Sequence, residues 1–267
     1  MKPCVFCGAT IGRATVEHVI PRWARRAFDV QGPVTISASE ETGGSALRRV
    51  DELRHLNITL RGAICGGCNN GFLSQLEDAV RPFLSPMMLT AEPTTLDLPA
   101  QALLATWAVK TVLLFELALR QKYPADRPVL GYAATAQELA WLRAKRTPPP
   151  RSFVWLGCWD CEQRSPVRYE PSGTPLPTAN GAALDAHMTT FTLGFVAFQV
   201  FTVDFVAADA LQADPWNASV PKPLDHALSR IWPARTMALT WPTQTFANDD
   251  WQRLVTWGNA LRGEPAE

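Results

Sequence analysis

The apolar residues of the chain show little periodicity at first and become regular from Cys68 onward. After that cysteine, apolar side chains recur every three or four residues, which predicts a helix. They are Phe72, Leu76, Ala79, Val80 and Phe83. Before it, the polar stretch 37–45 lies between apolar residues and predicts a loop or a hairpin turn.

Two more helices are predicted further along the chain. The first begins at Asp97, whose side chain can cap it, has Pro99 in its first turn, and runs to about Lys122. Apolar residues cover more than one of its faces, which predicts a position inside a core. Thr135-Ala136-Gln137-Glu138 has the capping-box pattern and begins a helix that ends near Arg146.

The pattern changes to β-strand after Ser152. Runs rich in β-branched and aromatic residues predict strands, with Gly194 in a turn. These runs are 152–159, 167–170, 188–193 and 196–205. A last helix is predicted over 249–261. Residues 86–267 are therefore predicted to form an α+β domain.

The composition of the chain indicates the number of domains and the cellular compartment. The 267 residues, 47% of them hydrophobic, are enough for two domains, which we place at 1–85 and 86–267. The net charge is zero, so no overall positive field indicates a nucleic-acid partner. No secretory signal is visible, and Lys110 and Glu116 interrupt the most apolar stretch, so we expect a cytoplasmic protein that does not span a membrane.

Four of the six cysteines form two Cys-x-x-Cys pairs, Cys4 with Cys7 and Cys65 with Cys68. Four thiolates make the closed tetrahedral ligand set of structural Zn²⁺, with no position left for an activated water. The alternative is that one or both pairs are redox-active or simply buried. The third pair, Cys158 with Cys161, has no partner pair. We interpret it as structural, with a second metal site in an oligomer as the alternative.

Further motifs surround these cysteines. Glu17-His18-Val19-Ile20-Pro21 follows the first pair, and Asn69 and Asn70 directly follow Cys68. Together they resemble the HNH endonuclease family, the zinc-knuckle branch of the ββα-metal (His-Me finger) nucleases. The resemblance covers residues 4–80. It implies an α+β fold in which a zinc-stapled ββα-metal (HNH) module is followed by a larger α+β domain.

The resemblance also implies roles in phosphodiester hydrolysis, which needs a deprotonated water and a divalent cation. His18 would be the general base and Glu17 a ligand of catalytic Mg²⁺ or Mn²⁺. Asn69 would supply or support the other metal contact, with Asn70 in its place if the helix register differs by one. The alternatives are a core or capping histidine and a solvated carboxylate.

One position departs from the family pattern. Family members often carry an asparagine about five residues before the third cysteine, where this chain has Leu60. Asn57, close to His55, is the alternative through a longer loop, and a surface asparagine is an equally good interpretation.

Pro21 is placed to begin a short helix on which Arg22, Arg25 and Arg26 share one face. Such guanidinium groups can clamp phosphates, and a solvated basic face is the alternative for each. Trp23 and Ala27 are predicted to face the core.

The leading hypothesis is a metal-dependent DNA endonuclease, with RNA left open and residues 86–267 selecting a substrate, partner or trigger. A zinc-knuckle module that binds nucleic acid or protein without cleavage is a different class, and the Glu17-His18 pair favours the nuclease. A third hypothesis is a nuclease that stays inactive until its second domain senses a ligand or oligomerises. A homodimer would supply the two active sites of a double-strand break.

Overall fold

A computed structural model describes residues 2–13, 15–28, 34–42, 45–53, 58–122, 134–160, 167–177, 183–203 and 228–247. The helices are α1 (Arg22–Phe28), α2 (Ser74–Thr90), α3 (Leu98–Lys122) and α4 (Ala136–Lys145). The strands are β1 (Val16–His18), β2 (Val34–Thr42), β3 (Ser45–Leu53), β4 (Thr59–Arg61), β5 (Thr94–Asp97), β6 (Phe153–Trp159), β7 (Arg168–Pro177), β8 (Ala183–Leu193), β9 (Val196–Val203), β10 (Leu228–Trp232), β11 (Ala238–Trp241) and β12 (Thr245–Phe246). The mixture of helix and strand confirms the predicted α+β class. The helix predicted over 249–261 lies outside the described residues.

Within these residues the strands form one large sheet and two small ones. The large sheet has the order β10-β6-β9-β8-β7-β2-β3, and β12 pairs with β6 in parallel. The polar stretch 37–45 belongs mostly to the β2–β3 hairpin, and β2 continues the sheet by pairing in parallel with β7. The small sheets join β1 to β4 and β5 to β11. Strands from the first 85 residues therefore contribute to a sheet built mainly from later ones.

Helix α3 runs through the protein core. All residues from Leu104 to Glu116 are buried, and Trp107 packs against Phe191 and Phe198 of the sheet. The helix is long and apolar enough to cross a membrane, but most of it is enclosed by protein. Its apolar composition is explained by core packing, since a helix buried on all sides has no polar face.

The predicted helix starts are confirmed. The Ala100 N–H donates to Asp97 Oδ1 at 2.9 Å at the start of α3. At α4, the Glu138 N–H donates to Thr135 Oγ1 at 3.2 Å and the Thr135 N–H donates to Glu138 Oε2 at 2.9 Å, which completes the capping box. These side chains satisfy N–H groups that have no partner inside the helix.

Helix α2 continues to Thr90, so the boundary predicted after residue 85 falls inside a helix. Its end contacts the β8–β9 turn, where the Phe195 N–H donates to the Met88 carbonyl at 3.1 Å. Gly194 in that turn has a φ of +59°, and a Cβ built on it would lie 2.0 Å from Met88 O. A single hydrophobic core includes residues of both segments. The segment before residue 85 and the large sheet are therefore packed directly together.

We expect Gly194→Ala to lower the free energy of unfolding by at least about 2 kcal/mol, because the left-handed φ and the contact with Met88 O both penalise a side chain. Urea unfolding measures the loss. Gly12→Ala is the matched control, since a Cβ there meets nothing within 4 Å. Equal midpoints for the two variants would contradict the close approach of turn and helix.

A buried polar pair joins α3 to the sheet. Tyr169 Oη donates to Glu116 Oε1 at 2.7 Å, and both residues are fully buried. Burial raises the pKa of Glu116 from its ordinary 4.5 to about 7, against the lowering effect of the Tyr169 hydrogen bond. Because the folded state holds this proton more tightly than the unfolded chain, the contribution of Glu116 to stability is greatest below pH 4.5 and falls as the pH rises to 7.

We expect Glu116→Gln to abolish this loss. Relative to the wild type, the variant should gain on the order of 3 kcal/mol of stability between pH 4.5 and 8, since a neutral amide cannot ionise. The measurement is the difference between the two unfolding free energies across this range, with the exposed Glu92→Gln as control. Parallel pH profiles for wild type and Glu116→Gln would show that Glu116 does not carry the effect.

Candidate metal centre and adjoining cavity

The four cysteines of the two Cys-x-x-Cys pairs meet in the structure. The sulfur atoms of Cys4, Cys7, Cys65 and Cys68 all lie within 4.8 Å of one another. Cys7 Sγ and Cys65 Sγ are 3.7 Å apart, far longer than a disulfide. Tetrahedral Zn²⁺ with Zn–S bonds of about 2.3 Å separates its sulfur ligands by about 3.8 Å. The cluster therefore has the donor atoms and the spacing to hold a zinc ion.

Backbone hydrogen bonds shape the two cysteine turns. The Gly8 N–H donates to the Cys4 carbonyl at 2.8 Å, and Gly8 adopts a left-handed φ of +71°, which a glycine permits without strain. The Cys65 N–H points at Cys4 Sγ (3.3 Å) and the Cys68 N–H at Cys65 Sγ (3.4 Å). These N–H groups favour thiolates. Burial and neighbouring Cys65 raise the pKa of Cys68 to about 12, so four thiolates together require a cation.

The cysteine cluster stands beside two antiparallel strands and a helix. Glu17 in β1 pairs with Leu60 in β4, and His18 pairs with Thr59. The pairing of these two strands is extended by the Val19 N–H, which donates to the Ile58 carbonyl at 3.0 Å. Phe6 of the first cysteine turn packs edge-on against Phe72 of the helical segment, with centroids 5.6 Å apart. The strands and the helix are thus fixed next to each other.

The helical segment begins with a π-turn over Cys68–Leu73, which continues into α2. The Ser74 N–H donates to the Asn69 carbonyl five residues earlier, the hydrogen bond that defines a π-turn. Such a turn holds one residue more than an α-turn. Asn69 and Asn70 both line the same cavity, so the two candidates for the helix position lie on one surface.

A cavity of about 510 Å³ lies between β1, α1 and α2. It brings together Glu17, His18, Arg22, Arg26, Asn69 and Asn70, six of the seven residues predicted for catalysis and phosphate binding. Val16, Trp23, Ser74, Glu77 and Arg81 complete the lining. The remaining predicted residue, Arg25, is half-buried on α1, the helix that carries Arg22 and Arg26.

His18 is half-buried in an electropositive environment. Burial and the charges of Arg25, Arg22 and Arg61 lower its pKa from 6.5 to about 4. The imidazole is therefore neutral at pH 7 and keeps a lone pair that can accept a proton. Arg25 thus influences the candidate base even though it does not line the cavity.

Glu17 is a buried carboxylate, 7% exposed. Burial raises its pKa to about 7, while the positive charge of Lys110 acts in the opposite direction. Lys110 Nζ lies 4.0 Å from Glu17 Oε1 and donates to Glu77 Oε1 at 2.8 Å. Two carboxylates therefore face one buried ammonium group.

Helix α1 carries the predicted arginines. Arg22 and Arg26 line the cavity, and Arg81 of α2 lies 5.9 Å from the ring centre of Trp23, a cation–π contact between the two helices. The prediction that Ala27 faces the core is wrong: Ala27 lies in the last turn of α1 and is exposed, whereas Ala24, one turn earlier, is buried.

Sequence reasoning missed Ser74, Glu77, Arg81 and Lys110. The first three follow Asn70 at intervals of four, three and four residues, which places them on one face of a helix. This polar stripe beside the apolar Leu76–Val80 stripe was the available signal. Lys110 gave no such signal, because its partners come from other parts of the chain.

Three residues discussed for the site have no described placement. Asn57 and His55, the alternatives for the middle asparagine, lie outside the described residues, and so does Cys161. Leu60, at the departing position, is buried in β4. Cys158 is buried in β6, apart from the four-cysteine cluster.

Comparison of the chain with protein-family models, curated proteins and solved structures finds no match. The assignment of a function therefore depends on the chemistry of the cysteine cluster and the cavity.

We expect the purified protein to contain one zinc ion per chain and Cys65→Ser to lose it. Binding of structural Zn²⁺ contributes about 10–16 kcal/mol in small zinc modules, so the packing around the cluster should be lost as well. Metal analysis and near-UV circular dichroism measure the two effects. Cys158→Ala, a buried cysteine outside the cluster, should keep its zinc. A Cys65→Ser protein that remains folded with zinc bound would contradict the assignment.

Proposed function

We propose that this protein is a metal-dependent endonuclease of the HNH type that hydrolyses phosphodiester bonds in DNA. The observation that carries the proposal is the meeting of His18, Glu17 and the two asparagines in one cavity beside the cysteine cluster. A neutral imidazole, a carboxylate and amide oxygens are the groups that water activation and divalent-metal binding require.

His18 acts as the general base. Its imidazole is neutral at pH 7 and can take a proton from a water molecule. A pKa of about 4 makes it a weak base in the free protein. When a phosphate occupies the cavity, its negative charge offsets the nearby arginines and raises the pKa of His18 toward its ordinary range. Substrate binding and activation of the base are thereby linked.

The cavity suits a hard divalent cation. Glu17 would hold it together with Asn69 or Asn70, whose oxygen atoms match the preference of Mg²⁺ and Mn²⁺. When bound, such an ion stabilises the charge that develops on the phosphate and the leaving oxygen. A zinc ion in the cysteine cluster would have a separate, structural role, because Cys4, Cys7, Cys65 and Cys68 would supply all four of its ligands.

Arg22 and Arg26 bind the phosphate backbone. Both line the cavity from α1, and Arg81 lines it from α2. Guanidinium groups bind phosphate oxygens in pairs of hydrogen bonds, which positions the strand without reading its sequence. The zero net charge of the chain is compatible with this role, since these positive groups are concentrated at the cavity.

A zinc module that binds nucleic acid without cleavage is the competing function. It accounts for the cysteine cluster and the arginines. It gives no reason for a buried glutamate next to a neutral histidine inside the same cavity, and a buried carboxylate is costly to maintain.

We expect the wild type to nick supercoiled plasmid DNA in Mg²⁺ or Mn²⁺ and His18→Ala to be at least about 100-fold slower, the usual contribution of a general base. Gel analysis of nicked and linear products measures both rates. Zinc content and circular dichroism of the variant should match the wild type. Asn69→Ala and Asn70→Ala, assayed in parallel, identify which amide is required.

Two outcomes would contradict the proposal. Equal cleavage by wild type and His18→Ala excludes His18 as the base. Retention of labelled DNA by both proteins without any product favours the binding module. The same assay with an RNA oligonucleotide decides between the two nucleic acids.

A further inference from the structure

Lys110 is the charged residue that the proposed reaction leaves unexplained. It lies in the middle of α3, within a run of buried residues, and its side chain is 0% exposed. Burying an ammonium group is costly, and pairing offsets the cost only where the geometry is good. Its position therefore calls for a reason beyond the packing of the core.

The surroundings of Lys110 point toward the cavity. Its Nζ donates to Glu77 Oε1 at 2.8 Å and lies 4.0 Å from Glu17 Oε1. Glu77 and Glu17 both line the cavity, whereas Lys110 does not. The ammonium group thus stands behind two carboxylates that face the cavity from α2 and β1.

The two distances correspond to two different interactions of the Lys110 ammonium group. At 2.8 Å Lys110 and Glu77 share a charge-assisted hydrogen bond, which fixes the Glu77 carboxylate. At 4.0 Å the attraction to Glu17 is electrostatic without a hydrogen bond, so the oxygens of Glu17 keep their capacity to bind a cation. The two carboxylates carry like charges, and the positive charge of Lys110 near both of them offsets their repulsion.

Helix α3 supports the same site at a second point. The Arg61 N–H donates to Gln121 Oε1 at 2.8 Å, and Gln121 Nε2 donates to the Arg61 carbonyl at 2.7 Å. The amide of Gln121 thereby pairs with β4 as a neighbouring strand would. Side chains of α3 therefore interact with both strands of the β1–β4 pair, Lys110 with the charge of Glu17 and Gln121 with the backbone of Arg61.

We propose that Lys110 is a positioning residue of the nuclease site: its ammonium group fixes Glu77 and orients Glu17 for the catalytic divalent cation. This inference rests on the proposed function. It makes α3, a helix of the second segment, a structural part of the site. Residues 1–85 carry the groups that react, and Lys110 positions one of them, Glu17, together with Glu77, which lines the same cavity.

The test compares the full-length wild type with Lys110→Met, Glu77→Gln and Lys110→Met/Glu77→Gln. Lys122→Met, on the same helix but exposed, and Asp78→Asn, exposed next to Glu77, are the matched controls. Three measurements are made on each protein: the urea midpoint of unfolding, the dissociation constant of Mn²⁺ from titration followed by electron paramagnetic resonance, and the rate of plasmid nicking.

Lys110→Met should lower the urea midpoint, because it leaves the half-buried Glu77 carboxylate without this partner. The double variant should recover most of that loss, because the amide that replaces the Glu77 carboxylate carries no charge. If Lys110→Met does not fold, the double variant still provides a folded protein in which Mn²⁺ binding can be measured. In the folded double variant the Mn²⁺ dissociation constant should lie about 10- to 100-fold above that of Glu77→Gln, the usual effect of losing a residue that orients metal ligands. Nicking should slow correspondingly, and both controls should behave as the wild type.

The outcomes separate the two proposals. A folded double variant that binds Mn²⁺ and nicks DNA as well as Glu77→Gln overturns the role of Lys110, and cleavage by the wild type leaves the nuclease assignment intact. A wild type that neither binds Mn²⁺ in the cavity nor nicks DNA overturns the nuclease function and the role of Lys110 with it. Restored stability with Mn²⁺ binding weaker than that of Glu77→Gln supports positioning, since the loss of a purely structural lysine would change the midpoint alone.

Discussion

The meeting of the two cysteine pairs determines where the residues of the cavity lie. Cys4 and Cys7 are separated from Cys65 and Cys68 by most of the first segment, yet their sulfur atoms share one cluster. That contact places β1 beside β4 and begins the helix at Cys68, directly before Asn69 and Asn70. Strands β1 and β4 have three residues each, and strands this short are marginal without support. The arrangement of reactive groups therefore depends on sulfur atoms that take no part in the proposed reaction.

Helix α3 provides the second fixed element. Its apolar residues fill the core between the helices and the large sheet, while Lys110, Glu116 and Gln121 each make a specific polar contact with another element. Polar groups in a core are costly when their partners are misplaced, so these contacts favour one packing position of α3 over alternative positions. Helix α3 thus fixes the position of the large sheet relative to the cavity.

The sequence predicts those features whose cause is local. The capping residues Asp97 and Thr135, the turn at Gly194 and the ligand spacing of the cysteines all act within a few residues, and the structure contains each of them. The pairing of β2 with β7 and the ion pair of Lys110 could not be predicted in this way. Both features depend on which distant segments of the chain meet. In the sequence alone, Lys110 is a charged residue within an apolar run, and nothing near it indicates its partners. The chemistry of the proposed base and metal ligand was predicted from motifs, but the supporting groups were not.

The π-turn at the start of α2 has a consequence for changes in chain length. Removing one residue from a helix rotates everything beyond it by about 100° and shifts it by about 1.5 Å. A deletion between Ser74 and Glu77 would therefore turn Glu77 and Arg81 away from the cavity, whereas the loss of one residue within Cys68–Leu73 would convert the π-turn into an α-turn and leave Ser74, Glu77 and Arg81 on the cavity face. The π-turn therefore lets the helical segment lose one residue without moving the face formed by Ser74, Glu77 and Arg81.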